Sequence, residues 1–495
     1  MRAVGQDVDS RAFTREDRQR YRLKVRRCLD VFAQMLGQST FDVDRPMAGL
    51  EIELNLVDSE YMPAMRNADV LAAIADEDFQ TELGQFNIEI NVPPRLLLDA
   101  GLRSFEDEVR VSLNAAEDAA VSKDAHLVMI GILPTLMPEH TGLDSISSNP
   151  RYRLMNEQIF TMRGEDLHLR IEGRERLDTY SETILPEAAC TSTQLHLQVS
   201  PEAFPQYWNA SQCLASVQLA LGANSPYFFG RELWRETRIA LFEQATDTRP
   251  EELKAQGVRP RVWFGERWIT SIFDLFEENV RYFPALLPVV DDEDPVQVLE
   301  RGEVPRLAEL RLHNGTIWRW NRPVYDVVKG RPHLRVENRV LPAGPTVLDT
   351  LANGAFYAGA VRALAEQQRP VWSQMSFHTA EENFHTAARH GIGSTIYWPG
   401  IGEVPVAELV LRKLLPLAAD GLDSFGVAPA ERDRLLGVIE QRCLLLRNGA
   451  EWQVDVVTSL EERHHLSRPE VLRDMLRRYV DYMHSNEPVH AWPQD

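Results

Sequence analysis

Five glutamates, one histidine and several arginines and amides recur at alternating positions of four short segments. In GLEIELNL (49–56), Glu51, Glu53 and Asn55 alternate with Leu50, Ile52, Leu54 and Leu56. In ELGQFNIEINV (82–92), Gln85, Asn87, Glu89 and Asn91 alternate with Phe86, Ile88, Ile90 and Val92, and Glu82 stands just ahead. In TSTQLHLQVS (191–200), Gln194, His196, Gln198 and Ser200 alternate with Thr193, Leu195, Leu197 and Val199. In HLRVENRVLP (333–342), Arg335, Glu337 and Arg339 oppose Leu334, Val336 and Val340. A period of two places each polar set on one face of a β-strand.

Any one of these segments describes an ordinary antiparallel strand with a wet face. The four together are selective. A merely solvated face mixes Lys, Ser and Thr, whereas these carry Glu, Gln, Asn, His and Arg with almost no Lys. Glu51 beside Glu53 on one face is repulsive unless a cation sits between them. Carboxylates with one imidazole suit a hard divalent cation such as Mg²⁺ or Mn²⁺. Two or three such ions could be held by Glu51, Glu53, Glu82, Glu89, His196 and Glu337. Arg335 and Arg339 flank Glu337 and offer guanidinium groups to phosphate oxygens. Metal ligands and phosphate-binding arginines on one sheet point to nucleotide phosphoryl transfer. The chain has neither a Walker A motif nor a kinase glycine loop, so metals and arginines must hold the phosphates. Gln194, Gln198 and Trp318 complete the expected nucleotide-binding set, with Trp318 a platform for adenine as readily as a core residue.

The elements that must position these residues follow from periodicity. Apolar residues at helical spacing predict helices over 14–36, 68–76, 103–122, 151–163 and 209–222. HLVMIGILPT (126–135) predicts a buried strand, 138–190 is otherwise loop-rich, and strand signals return at 307–320 and 333–341. After Pro345 the alternation gives way to a 3.6-residue period, with helices expected at 347–366, 378–389, 405–419, 429–447 and 468–484. The expected architecture is α+β over residues 1–365, followed by an α-helical extension over 366–495. His378, Glu382 and His385 share a helical face, but a solvated face explains them better than a metal site. His464 and His465 lie in a charged stretch and read as surface, and the acidic run 291–295 reads as a solvated loop.

Composition narrows the partners. Acidic residues outnumber basic ones 74 to 53, a formal charge of −21, which disfavours nucleic acid and anionic membranes. No stretch reaches the length of a spanning helix, and the polar N-terminal residues do not resemble a signal peptide. Four scattered cysteines form no CxxC pair, consistent with a reduced, cytoplasmic protein. The oligomeric state stays open, a homo-oligomer included.

Taken in order, GLEIELNL, ELGQFNIEINVPP, STQLHLQVSP, GANSPYFFGRELWRETRIALFEQ, HNGTIWRWNRPVYD and HLRVENRVLPAGPT resemble the glutamate–cysteine ligase family 2 enzymes. These are carboxylate–amine ligases of the glutamine synthetase superfamily. The resemblance implies a curved antiparallel sheet, flanked by helices, whose concave face holds metal ions, ATP and an amino acid. It implies that Glu51, Glu53, Glu82, Glu89, His196 and Glu337 bind metal, that Arg339 contacts phosphate, and that Arg238 contacts substrate or phosphate. HNGTIWRWNRPVYD differs from better-known cysteine ligases and is expected to bring Trp318, Trp320 and Tyr325 near the site. The implied reaction joins glutamate to an amine, cysteine foremost, through an acyl phosphate. A superfamily relative acting on another amine or a polypeptide, and a non-catalytic nucleotide-binding protein, are the alternatives.

Overall fold

The computed structural model describes residues 13–38, 41–43, 47–463 and 466–494; His464 and His465 lie outside the described residues. Seven strands form one sheet: β1 (Met47–Val57), β2 (Phe79–Thr81), β3 (Asn87–Leu96), β4 (His126–Val128), β5 (Thr193–Gln198), β6 (Asn321–Val328) and β7 (Arg331–Asn338). Their order is β6–β7–β5–β1–β3–β2, with β4 paired to the far end of β1, and every pairing is antiparallel. The four segments with alternating polarity are thus neighbours at the centre of one curved sheet.

Register aligns their polar residues. Glu51 lies opposite Gln194 on one side and Asn91 on the other, and Glu53 lies opposite Glu89. His196 faces Glu337 across the β5–β7 pair, and Gln198 faces Arg335. A slip of one residue in any strand would send its whole polar set to the opposite face, so burial of the apolar face fixes the geometry of the polar one. Leu50, Ile52, Leu54, Ile88, Ile90, Leu334 and Val336 are all buried on that apolar face.

Helices close around the sheet. Those used below are α1 (Arg15–Gln38), α2 (Gly101–Val121), α3 (Pro150–Arg163), α4 (Phe204–Gly222), α5 (Thr237–Ala245), α6 (Ile272–Tyr282), α7 (Ala308–Asn314), α8 (Val347–Ala365), α9 (Leu415–Phe425), α10 (Gly449–Arg463) and α11 (Arg468–Ser485). Helix α8 lies against the sheet's apolar face: a Cβ on Gly354 would sit 3.3 Å from Leu195 Cδ2. Helices α8 and α9 touch backbone to backbone. A methyl group on Gly359 would collide with the Ala418 carbonyl oxygen, and one on Gly421 with that of Gly359.

The core is continuous across residue 365, running from Tyr21 in α1 through the sheet to Trp492. Asn224, just after α4, ties this continuity to specific bonds. Its side-chain amide donates to the Ala343 carbonyl and the Tyr479 hydroxyl, both at 2.8 Å, and its side-chain oxygen accepts from Gln453 at 2.8 Å. The Tyr479 hydroxyl in turn donates to the Met129 carbonyl at 2.7 Å. Residues of α10 and α11 thereby brace the loop beside β4.

Several sequence expectations are corrected. The run 126–135 is strand only over His126–Val128, because the next carbonyls turn away to other partners: Ile130 accepts from Asn55 at 3.2 Å and Gly131 from the Thr191 amide at 3.0 Å. The stretch 138–190 contains a hairpin, Leu167–Glu172 with Arg176–Ser181, besides α3. The strand expected from 307 is helix α7, followed by the two-residue strand Trp318–Arg319. Beyond 365 the chain is not wholly helical: Thr395–Trp398 and Gly402–Pro405 form a hairpin. The acidic run is partly ordered, with Asp294 capping a short helix and Asp291 and Glu293 both paired to Arg306. No helix among the described residues is long and apolar enough to cross a membrane.

Candidate active site

The polar face of β1, β3, β5 and β7 floors a cavity of about 240 Å³. Glu51, Glu53, Glu82, Glu89, Gln194, His196, Arg335, Glu337, Arg339 and Trp318 all line it. These residues are not a wet sheet surface: Glu337 is 1% exposed, Gln194 2%, His196 3% and Glu53 8%.

The acids separate into two groups, each with ligand atoms within 4.8 Å of one another: Glu51, His196 and Glu337, and Glu53, Glu82 and Glu89. They differ in how their charge is balanced. Glu337 accepts from Arg322 at 2.7 and 2.9 Å and from Arg339 at 2.5 Å. Burial would raise its pKa, but the guanidinium groups of Arg322 and Arg339 outweigh that and hold it far below the usual range. Burial likewise opposes ionisation of Glu51, yet the His196 imidazole 3.1 Å away brings it below its ordinary value.

In the second group burial outweighs the attraction of Arg339, which makes no hydrogen bond to these acids. Glu53 accepts from the Ser192 amide at 2.6 Å and from Gln194 at 2.9 Å, and Glu89 accepts from Asn91 at 2.7 Å. Among the described residues Glu82 takes only the Leu83 amide, at 3.2 Å. Burial first and the charge of Glu53 second raise Glu82 to about 7, and burial with the charges of Glu51, Glu82 and Glu53 raises Glu89 well above normal. Three converging carboxylates that repel one another in a buried site are the donor set a hard divalent cation satisfies. The first group fits a cation with one condition. Arg335 donates to His196 Nδ1 at 3.0 Å, which leaves the proton of a neutral ring on Nε2. For His196 to offer Nε2 to a metal, the neutral ring must carry its proton on Nδ1 instead, which gives up the bond from Arg335.

The arginines serve two purposes. Arg339 lies between Glu337 and Gln194, at 2.5 Å from each, and so couples the two acidic groups through Gln194. Arg335 is held by His196, by Asp326 at 3.4 Å and by His333 at 3.0 Å. Both are oriented by neighbours and need little reorganisation to meet an anion.

Four expected positions differ. Gln198 shares the strand but donates to the Asp42 carbonyl at 2.7 Å, outside the cavity lining. Arg238 is buried behind the site, bonded to Glu236 at 3.0 Å and to the Val340 carbonyl, with its guanidinium over Trp320. Of the expected aromatics only Trp318 lines the cavity. Trp320 packs on Phe242 and Phe384, while Tyr325 lies in the core against Phe32 and Phe41. His378 pairs with Glu382 on an exposed face, and His385 turns to Glu243, so those three form no site.

The structure adds residues that periodicity did not single out. Arg322 sits opposite Glu337 on β6, Arg151 and Tyr152 project from α3, and Glu187 comes from the turn before β5. Burial, then the charges of Glu82 and Glu53, raise Glu187 to about 8. Of these only Arg322 falls in a segment that carries the family resemblance, HNGTIWRWNRPVYD (313–326).

The model for glutamate-cysteine ligase family 2 matches residues 47–462. No curated protein matches the chain. Among solved structures, the glutamate–cysteine ligase of Francisella tularensis in complex with AMP is similar at a TM-score of 0.54 and 11% identity, covering 92% of this chain and 91% of that one. A bifunctional glutathione synthetase from Pasteurella multocida is similar at a TM-score of 0.52 and 12% identity, covering 92% of this chain and 55% of that one. At these identities the structures establish the shared fold. The chain belongs to glutamate–cysteine ligase family 2, a membership that supports ATP-dependent carboxylate–amine ligation as its chemistry.

Proposed function

We propose that the chain joins glutamate to an amine, with cysteine the leading acceptor, through a γ-glutamyl phosphate formed from ATP. The observation that carries this reading is the meeting of six side chains able to ligate metal and two oriented arginines around one cavity over the sheet. A Mg²⁺ or Mn²⁺ ion held by Glu53, Glu82 and Glu89, and another by Glu51, His196 and Glu337, would neutralise nucleotide phosphate charge. Arg339 and Arg335 supply fixed donors to the transferring group, and Trp318 offers a flat apolar wall beside them. The glutamate carboxylate attacks the γ-phosphorus, ADP leaves, and the amine then displaces phosphate from the acyl carbon. Such a route needs no enzyme nucleophile, and no cysteine lines the cavity among the described residues. The small volume favours amino acids over a polypeptide as substrates.

The test is phosphate release with ATP, Mg²⁺ and glutamate across a panel of amines. Release that requires both glutamate and cysteine supports the full reading. Release with glutamate and a different amine replaces the acceptor, and no release with any amino acid despite ATP binding overturns the ligase assignment.

A further inference from the structure

A second cleft, of about 350 Å³, lies between α1 and the end of α6, away from the sheet's polar face. Arg18, Arg22 and Arg26 line it at one-turn intervals along α1, and Arg281 lines it from α6. No carboxylate lines it among the described residues. In a chain with 74 acidic residues, partners for arginine are abundant, yet the exposed Arg22, Arg26 and Arg281 make no ion pair among the described residues. Arg18 is anchored instead to neutral groups, the Ala285 carbonyl at 3.2 Å and the Gln158 side chain at 2.9 Å. Tyr282 forms part of the wall.

Four cations around one concavity raise each other's energy unless an anion joins them. Residues four apart on a helix are about 6 Å apart, a spacing that lets neighbouring arginines grip adjacent anionic groups of one molecule. The strongly acidic remainder of the protein repels an extended polyanion, and the bounded cleft suits a compact one. We propose that this cleft binds a small molecule bearing two or more closely spaced phosphate or carboxylate groups.

The cleft is joined to the candidate active site by short connections. His313 of α7 lines the cleft, 4% exposed, with Nε2 at 2.9 Å from the Asn279 carbonyl and Nδ1 without a partner among the described residues. Its own carbonyl accepts from Thr316 at 2.9 Å, and Thr316 lines the active-site cavity. On the other side, Gln158 belongs to α3, which sends Arg151 and Tyr152 into that cavity. A ligand in the cleft therefore rests on two elements that also wall the active site, which makes an effector its natural occupant.

The test is calorimetric titration of the full chain, in metal-free buffer containing a chelator, with inorganic pyrophosphate and separately with citrate. Wild type is expected to bind at least one of them, and the Arg22→Ser/Arg26→Ser variant to bind it at least about tenfold more weakly, the loss of charge-assisted bonds. Arg339→Ala, which removes a cation of the other cavity, is expected to retain the binding. Pyrophosphate alone marks a phosphate site and citrate alone a carboxylate site. Equal binding by wild type and the double variant, or none by wild type up to about 1 mM, a concentration that still reports weak affinity, overturns the proposal. Melting temperatures and basal phosphate release of the double variant, both expected unchanged, show that the fold and the active site are intact.

Discussion

Replacing Glu82 by Gln is expected to stabilise the metal-free protein, and to do so much more at pH 8 than at pH 5. The carboxyl has a pKa of about 7 in the folded chain against an ordinary value of 4.5. The native state thus binds this proton more tightly than the unfolded state does. Raising the pH through that interval favours the unfolded chain, and the full cost persists above it. At pH 8 the charge costs the native state about 3 kcal/mol, and at pH 5 less than about 1 kcal/mol. Glutamine keeps an oxygen for the Leu83 amide, so the local hydrogen bond survives. Unfolding entropy scales at roughly 2 cal/mol/K per residue. For 495 residues unfolding as one unit, the gain at pH 8 is a rise in Tm of about 3 °C. Differential scanning calorimetry in excess chelator at the two pH values measures it. Saturating Mg²⁺ should reverse the order, since wild type then gains binding energy that the variant lacks. A variant that melts lower than wild type at pH 8, or gains equally at both pH values, refutes the view that uncompensated carboxylates strain this face.

Other outcomes follow from the same geometry. Glu53→Gln should lower metal-dependent phosphate release at least about a hundredfold while leaving the circular dichroism spectrum unchanged; undiminished turnover removes Glu53 from the metal set. Mg²⁺ binding near pH 7 should release protons, because Glu82 at about 7 and Glu187 at about 8 are partly or largely protonated there. Titration calorimetry in buffers of different ionisation enthalpy would detect that release, and apparent affinity should rise from pH 6 to pH 8; a flat profile contradicts it. Gly359→Ala forces α8 and α9 apart and should cost about 1–3 kcal/mol, read as a lowered Tm with activity per folded molecule retained.

The central sheet was legible because its strands obey two demands at once. Leu50, Ile52 and Leu54 must enter a core, so Glu51, Glu53 and Asn55 must leave it, and a period of two records both facts. Helix α7 shows where that logic fails. Glu309, Arg311 and His313 alternate with Leu310 and Leu312 and read as a strand. In the fold α7 is enclosed, and Glu309 and His313 are buried along with the leucines. Glu309 accepts from the Asp291 amide at 2.8 Å and His313 meets the Asn279 carbonyl at 2.9 Å, so polar residues belong inside and alternation carries no information. Glu187 and Arg151 were illegible for another reason. They reach the cavity from a turn and a helix, and which way such side chains point is decided by packing over long sequence separations rather than by local period. Arg238 illustrates the converse: a conspicuous arginine drawn into an internal pair with Glu236.

The bonds around Asn224 also set the order in which the molecule can be made. Tyr479 and Gln453, which hold Asn224, and through Tyr479 the Met129 carbonyl, come 255 and 229 residues after Asn224 in the sequence. During synthesis the strands that carry the acidic face emerge long before these residues exist outside the ribosome. The nascent sheet therefore waits with the backbone beside β4 unbraced and with its like charges facing one another. A chain that stops before residue 479 lacks the bond to the Met129 carbonyl, so the backbone beside β4 stays unbraced in it.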